Sequence, residues 1–227
     1  MKIMTTLALA SVALAIPMDT KTSKRQSTGS TANDFKRNGC NDIIFIFARG
    51  SAEIGNMGTI VGPDVADNLK EEFPGQVAVQ GVDYAALLST NFLPGGTDDE
   101  GIDEMKSLLS DSMSQCPDSI IVAGGYSYLG SQGAAVNHRA IEDLPEDQKN
   151  RIAGVVTFGD TQFRADDGQI PNFPADKVEI ICAANPRDTV CDGVLTAAIL
   201  PPHLSYGRNA AEGAQFLTQK IRAVQGA

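Results

Sequence analysis

The sequence predicts an α/β three-layer sandwich built on a mostly parallel central sheet. Apolar runs of strand length alternate with segments of helical periodicity, the pattern left by parallel strands joined through crossover helices. The run Ile43-Ile44-Phe45-Ile46-Phe47-Ala48 is apolar at every position, as a strand covered on both faces requires. With 227 residues, 42% hydrophobic and 20% charged, the chain has enough apolar side chains for one sizeable core, and it carries no internal repeat.

The first segments lie outside that fold. Lys2, the short apolar core Leu7 to Leu14 and the triplet Ala13-Leu14-Ala15 read as a secretory signal over residues 1–15. A spanning helix needs about 20 apolar residues, so no integral membrane association is expected. The polar, Thr/Ser-rich stretch with Lys24-Arg25 reads as a pro-segment over 16–25, followed by a flexible segment over 26–39 and a domain over 40–227. Within the domain, the first strand is expected over 42–49, ending at Gly50-Ser51. A helix over 64–72 follows, with Val65, Ala66 and Leu69 at helical spacing, and then a strand over 76–82. Beyond Leu93-Pro94-Gly95-Gly96, Thr97 and Glu100 form a capping-box pattern that starts a helix toward Met113. A strand over 119–123, a helix over 133–144, strands over 152–158 and 177–182 and an amphipathic helix over 210–224 complete the order.

The formal charge of −10 speaks against nucleic acid as a partner, because a phosphate backbone is held by clustered Lys and Arg and the folded region has no such cluster. A neutral or insoluble polymer fits that charge. Four cysteines in a chain expected to be secreted and extracellular suggest two disulfides, with three pairings open. Cys182 and Cys191 are close enough to staple one loop, which leaves Cys40 with Cys116. In the chain-entropy account the longer closure contributes about 4 kcal/mol and the shorter about 2–3 kcal/mol. There is no CxxC spacing and only two histidines exist, so neither metal nor cofactor is expected.

In such sheets function gathers in the loops beyond the carboxyl ends of the strands. Gly50-Ser51, Ser127 to Ser131, Asp188 and His203 fall there, in the chain order Ser, Asp, His that α/β-hydrolases use. The run Ile120-Ile121-Val122-Ala123-Gly124-Gly125-Tyr126-Ser127 ends a buried strand in Gly-x-Ser, the form in which that fold presents its nucleophile. The closing glycine is displaced, because Tyr128-Leu129-Gly130-Ser131 intervenes before Gln132-Gly133. Ser127 therefore has the upstream half of the motif and Ser131 the downstream half.

A serine hydroxyl needs a base within hydrogen-bond reach and a third group to orient that base. His203, after Pro201-Pro202, is the expected base, whereas His138, about two turns into the following helix, is expected on the surface. Asp188 is the expected orienting carboxylate and Asp192 the fallback; the plainer reading pairs Asp188 with Arg187. Ser51, otherwise a simple turn cap, stands where one oxyanion-hole amide belongs, and the second donor is the amide of Gln132 or Tyr128, according to which serine acts.

Phe47-Ala48-Arg49-Gly50-Ser51 through Glu53-Ile54-Gly55-Asn56-Met57-Gly58, Cys116-Pro117-Asp118, Gly124-Gly125-Tyr126-Ser127, Gly168-Gln169-Ile170-Pro171-Asn172-Phe173-Pro174, Asp188-Thr189-Val190-Cys191 and His203-Leu204-Ser205-Tyr206-Gly207 resemble the fungal cutinases, over nearly all of the chain from Cys40 onward. The resemblance implies a lidless, secreted α/β-hydrolase that cleaves the polyester of plant cuticle, with two disulfides in the pairing given above. It implies Asp188 and His203 as triad members, Ser51 as an oxyanion-hole residue and Gln132 as the other donor. The family's Gly-Tyr-Ser-Gln-Gly is split here by four residues, close to one helical turn. As an extension of the helix start they leave Ser127 where the strand delivers it; as a longer turn they keep Ser131 at the helix N-terminus. The central strand is the more rigid anchor, so Ser127 is the expected nucleophile and Ser131 the alternative.

The loop between Cys182 and Cys191 is also longer than the family's, with Asn185-Pro186-Arg187 ahead of Asp188. The expected partner is cutin or another aliphatic ester, met by a monomer, with Leu87, Leu88, Leu93, Leu195, Ile199 and Leu200 as an apolar rim or, more plainly, as core. An acetylxylan or small-lipid esterase on the same fold is an alternative. The split motif motivates a further one, a non-catalytic secreted relative that binds a plant or cell-wall surface.

Overall fold

Five parallel strands form the centre of the structure, a computed structural model that describes residues 27–128, 131–194 and 201–226. They are β1 (Ile43–Ala48), β2 (Val77–Gly81), β3 (Ile120–Tyr128), β5 (Ile152–Phe158) and β6 (Val178–Ile181), in the order β2-β1-β3-β5-β6. The short β4 (Ser131–Gln132) pairs antiparallel with the end of β3. Every side chain of β1 is buried, because alternate residues face two separate cores. Phe45, Phe47, Val122 and Val156 face α2 (Gly62–Glu72) and α6 (Ala210–Gln225). Ile44, Ile46, Ala123 and Val155 face α3 (Asp99–Gln115) and α4 (Gly133–Glu142). The sandwich expected from the sequence is therefore present, and Cys40–Cys116 and Cys182–Cys191 are both bonded as expected.

The expected signal and pro-segment, and the rim residues Leu195, Ile199 and Leu200, lie outside the described residues. Where the sequence suggests a flexible lead-in, residues 27–39 pack on the domain. Helix α1 (Asp34–Asn38) buries Phe35, Asn33 bridges Gln80, and the Ser30 carbonyl accepts from the amides of Asn56 and Met57 at 3.0 and 2.9 Å. The cap of α3 is Asp98, one residue past the expected Thr97, with its carboxylate accepting from the Gly101 amide at 3.1 Å. A second short helix, α5 (Glu146–Arg151), also escaped notice, because its six residues have too few apolar positions to show a period.

The largest difference lies at the split motif. β3 does not end at Ala123 but continues through Tyr128. Of the inserted residues described, Tyr128 and Ser131 pair with each other across β3 and β4, Ser127 pairs with Gln132, and α4 begins at Gly133. Tyr126 and Tyr128 favour extended backbone and both pack on the α2/α6 face, which explains the longer strand.

Candidate active site

The loop after β1 is held by a buried carboxylate. Glu53 accepts from the amides of Gly50, Thr59 and Ile60 at 2.9, 2.9 and 3.2 Å. Burial pushes its carboxyl upward, against those three amides and the charge of Arg49. Arg49 lies 4.9 Å over the Tyr84 ring and donates to the Glu53 and Tyr84 carbonyls. On this frame the Ser51 hydroxyl donates to Asn91 Oδ1 at 2.8 Å, and Gly50 bridges Gln132. A Cβ on Gly50 would sit 2.2 Å from that of Tyr128, so only glycine admits the hairpin here. Gln132 has a φ of 129°, a left-handed conformation that is costly for a side-chain-bearing residue. Its side-chain amide donates to the Leu87 carbonyl and Thr90 hydroxyl. The loop carrying Gly50 and Ser51 thus lies against Tyr128 and Gln132 at one end of the sheet.

The loop after β6 brings Asp188 beside His203. The Cys182–Cys191 disulfide closes the loop, the Asp188 amide donates to the Ala183 carbonyl at 2.8 Å, and the Asp188 side chain is buried. His203, fully buried in a 3-10 turn (Pro201–Leu204), places Nδ1 2.7 Å from Asp188 Oδ2. Asp188 Oδ1 accepts from the Val190 amide at 3.0 Å, and Oδ2 also accepts from the Tyr206 hydroxyl at 2.7 Å. Burial works to raise the Asp188 carboxyl, but His203, Tyr206 and the Val190 amide outweigh it and hold the carboxyl below its ordinary range. Arg187 pairs at the surface with Asp192, at 2.7 Å, and not with Asp188.

With Nδ1 donating to Asp188, His203 Nε2 is left as an acceptor, buried and without a hydrogen-bond partner among the described residues. Ser127 Oγ is in the same condition. The Tyr126–Phe158 register sets Ser127 level with Gly159, where an added Cβ would lie 2.8 Å from His203 Cε1. Serine and imidazole therefore share one level of the sheet, but the hydrogen bond between them is not made. Strand alternation turns Ser127 away from the face on which Tyr126 and Tyr128 pack. Ser131 pairs with Tyr128 through its backbone.

His138 is not the surface residue expected. It is fully buried, with Nδ1 3.2 Å from Asp160 Oδ2 and Nε2 3.0 Å from Asp166 Oδ2 in a geometry too oblique for a hydrogen bond. Its neighbours Glu142 and Asp166 are bridged by Arg139 at 2.6 and 2.7 Å, so a guanidinium already supplies the cation of this cluster. Leu87, Leu88 and Leu93 are exposed rather than core, joined by Phe92 and Val194, which the sequence reading passed over. Phe92 and Leu93 line a groove of about 290 Å³ with Asn91, Thr161, Gln162 and Gly193. The sequence reading also missed Asn91, Glu53 and Tyr206 as supports of the site. Glu53 and Tyr206 both fall within the motif segments, Tyr206 three residues after His203.

A family described as cutinase matches residues 39–221. The chain is 43% identical over 219 residues to Cutinase 3 of Emericella nidulans, covering 94% of this chain and 95% of that one. It is likewise 43% identical over 231 residues to Cutinase 1 of Fusarium vanettenii, covering 97% and 96%. Among solved structures, a Trichoderma reesei cutinase in complex with a phosphonate inhibitor superposes with a TM-score of 0.72 at 33% identity, over 85% of this chain and 80% of that one.

Proposed function

This chain belongs to the cutinase family and is a carboxylic ester hydrolase, and we propose that it is a secreted serine esterase that cleaves cutin or similar aliphatic polyesters through Ser127, His203 and Asp188. The observation that carries this reading is the buried Asp188–His203 pair, which fixes the imidazole tautomer and leaves Nε2 without a partner among the described residues, at the level of Ser127. The Ser127–His203 hydrogen bond is not made in the unliganded chain, and the reading requires Ser127 Oγ to turn toward Nε2 when substrate binds.

In the reaction, Ser127 Oγ attacks the ester carbonyl carbon while His203 Nε2 takes the hydroxyl proton. The carbonyl oxygen becomes an oxyanion held by the amides of Ser51 and Gln132, with Tyr128 the alternative second donor. Collapse breaks the bond to the alcohol, which leaves with the proton from His203. Water, deprotonated by the same nitrogen, then releases the acid and restores the serine. The exposed Leu87, Leu88, Phe92 and Leu93, which flank Asn91 in the chain, supply an apolar surface beside the Ser51–Asn91 contact, suited to an aliphatic chain.

Hydrolysis of p-nitrophenyl esters of increasing acyl length tests this reading. Two added methylenes contribute about 1.6 kcal/mol when buried, so kcat/KM for the butyrate is expected to exceed that for the acetate by about tenfold. Suspended cutin should release hydroxy fatty acids. Activity confined to acetylated xylan would instead identify an acetylxylan esterase on this scaffold.

A further inference from the structure

Asp188 holds more than His203. Its Oδ2 accepts two donors at the same distance, His203 Nδ1 and the Tyr206 hydroxyl, each at 2.7 Å. Tyr206 is fully buried, and its hydroxyl oxygen in turn accepts from the Ala183 amide at 2.9 Å. With that lone pair engaged, the phenolic proton is directed at Asp188. The ring is fixed by its surroundings: His203 meets it edge-on at 6.0 Å and 87°, and Tyr126 and Phe158 lie at 6.0 and 6.4 Å. Tyr126 also donates from its hydroxyl to the His203 carbonyl at 3.0 Å, so the imidazole is held at both its ring and its backbone. The stapled loop, the end of β6 and the base are thereby joined through one phenol.

We infer that Tyr206 is a positioning residue of the catalytic pair, holding the Asp188 carboxylate in the orientation from which it directs His203. The inference rests on the esterase reading above and deepens it. The titratable groups facing Asp188 are His203 and Tyr206, with Tyr126 of β3 behind them, while Arg187 and Asp192 of the same loop pair with each other at the surface. Burial keeps the Tyr206 phenol protonated far above neutral pH, so it remains a donor throughout the working range. Removing that donor leaves the carboxylate less stabilised as an anion, and the Asp188–His203 pair then keeps its shared proton to higher pH.

The test is Tyr206→Phe assayed on p-nitrophenyl butyrate across pH. A hydrogen bond to a charged group corresponds to a loss of roughly 10- to 100-fold in kcat, expected here with KM within about twofold and the acid limb of kcat/KM moved to higher pH. The same substitution in an Asp188→Ala background is expected to change the residual rate by less than about twofold, because the phenol acts through Asp188. If Tyr206→Phe does not fold, 3-fluorotyrosine at position 206, a stronger donor of nearly the same shape, is expected to move the acid limb to lower pH. An unchanged kcat, an unmoved acid limb, or an equal loss in the Asp188→Ala background would overturn the inference while leaving the esterase reading intact. A wild-type chain without esterase activity would overturn both.

Discussion

His203→Ala is expected to lower ester hydrolysis by about 10⁴- to 10⁶-fold, the loss that accompanies removal of the base from a serine triad. The cause is specific to this site, because the described residues offer no second imidazole near the loop after β6. His138→Ala is expected to leave kcat within about threefold, since His138 faces Asp160 and Asp166 across α4 and touches no proposed reacting group. It should nevertheless lower the melting temperature, because a fully buried ring contacting two carboxylates cannot be removed without leaving polar groups unpaired, at a cost of about 1–3 kcal/mol. Steady-state kinetics with thermal unfolding of both variants checks the pair of expectations. Loss of turnover in the His138 variant with retention in the His203 variant would reject the assigned base.

The second large effect concerns the two serines that flank the hairpin. Only one hydroxyl at a time can meet His203 Nε2, so Ser127→Ala is expected to abolish activity and Ser131→Ala to leave most of it. Deleting Tyr128 to Ser131 restores the continuous Gly125-Tyr126-Ser127-Gln132-Gly133 and removes the strand extension that turns Ser127 from the face of Tyr126. Misplacement by about 1 Å can cost on the order of 100-fold, so the deletion is expected to raise kcat by at least about tenfold. An inactive intact chain with an active deletion variant would favour the non-catalytic relative. Inactivity of both would defeat the hydrolase mechanism.

The sheet was readable because its strands are apolar at every position and its helices carry one apolar stripe, two patterns set by burial alone. The pairing of Asp188 with His203 was readable for a different reason, scarcity: with two histidines and one short disulfide loop, few arrangements could put an imidazole beside a carboxylate. What escaped depends on tertiary contact. His138 lies at a helix position that local pattern assigns to solvent, yet the loop carrying Asp160 and Asp166 folds over it. Tyr206 reads as an ordinary core aromatic until its hydroxyl is seen between Ala183 and Asp188. At the insertion, helix and loop were the local alternatives, yet Tyr128 and Ser131 are both extended. Extended pairing prevailed because β3 was already anchored between β1 and β5, and two tyrosines continued its alternation toward α2 and α6.

Labelling of the intact chain with a p-nitrophenyl alkylphosphonate brings the nucleophile, its base and the hydrolase chemistry into one measurement. An activated serine attacks phosphorus and displaces p-nitrophenolate, so the released colour counts sites and peptide mapping names the serine. The expected result is one equivalent of p-nitrophenolate with the phosphonyl group on Ser127, and no labelling of the His203→Ala variant. An unlabelled wild-type chain, or labelling that persists without His203, would contradict a Ser127–His203–Asp188 esterase.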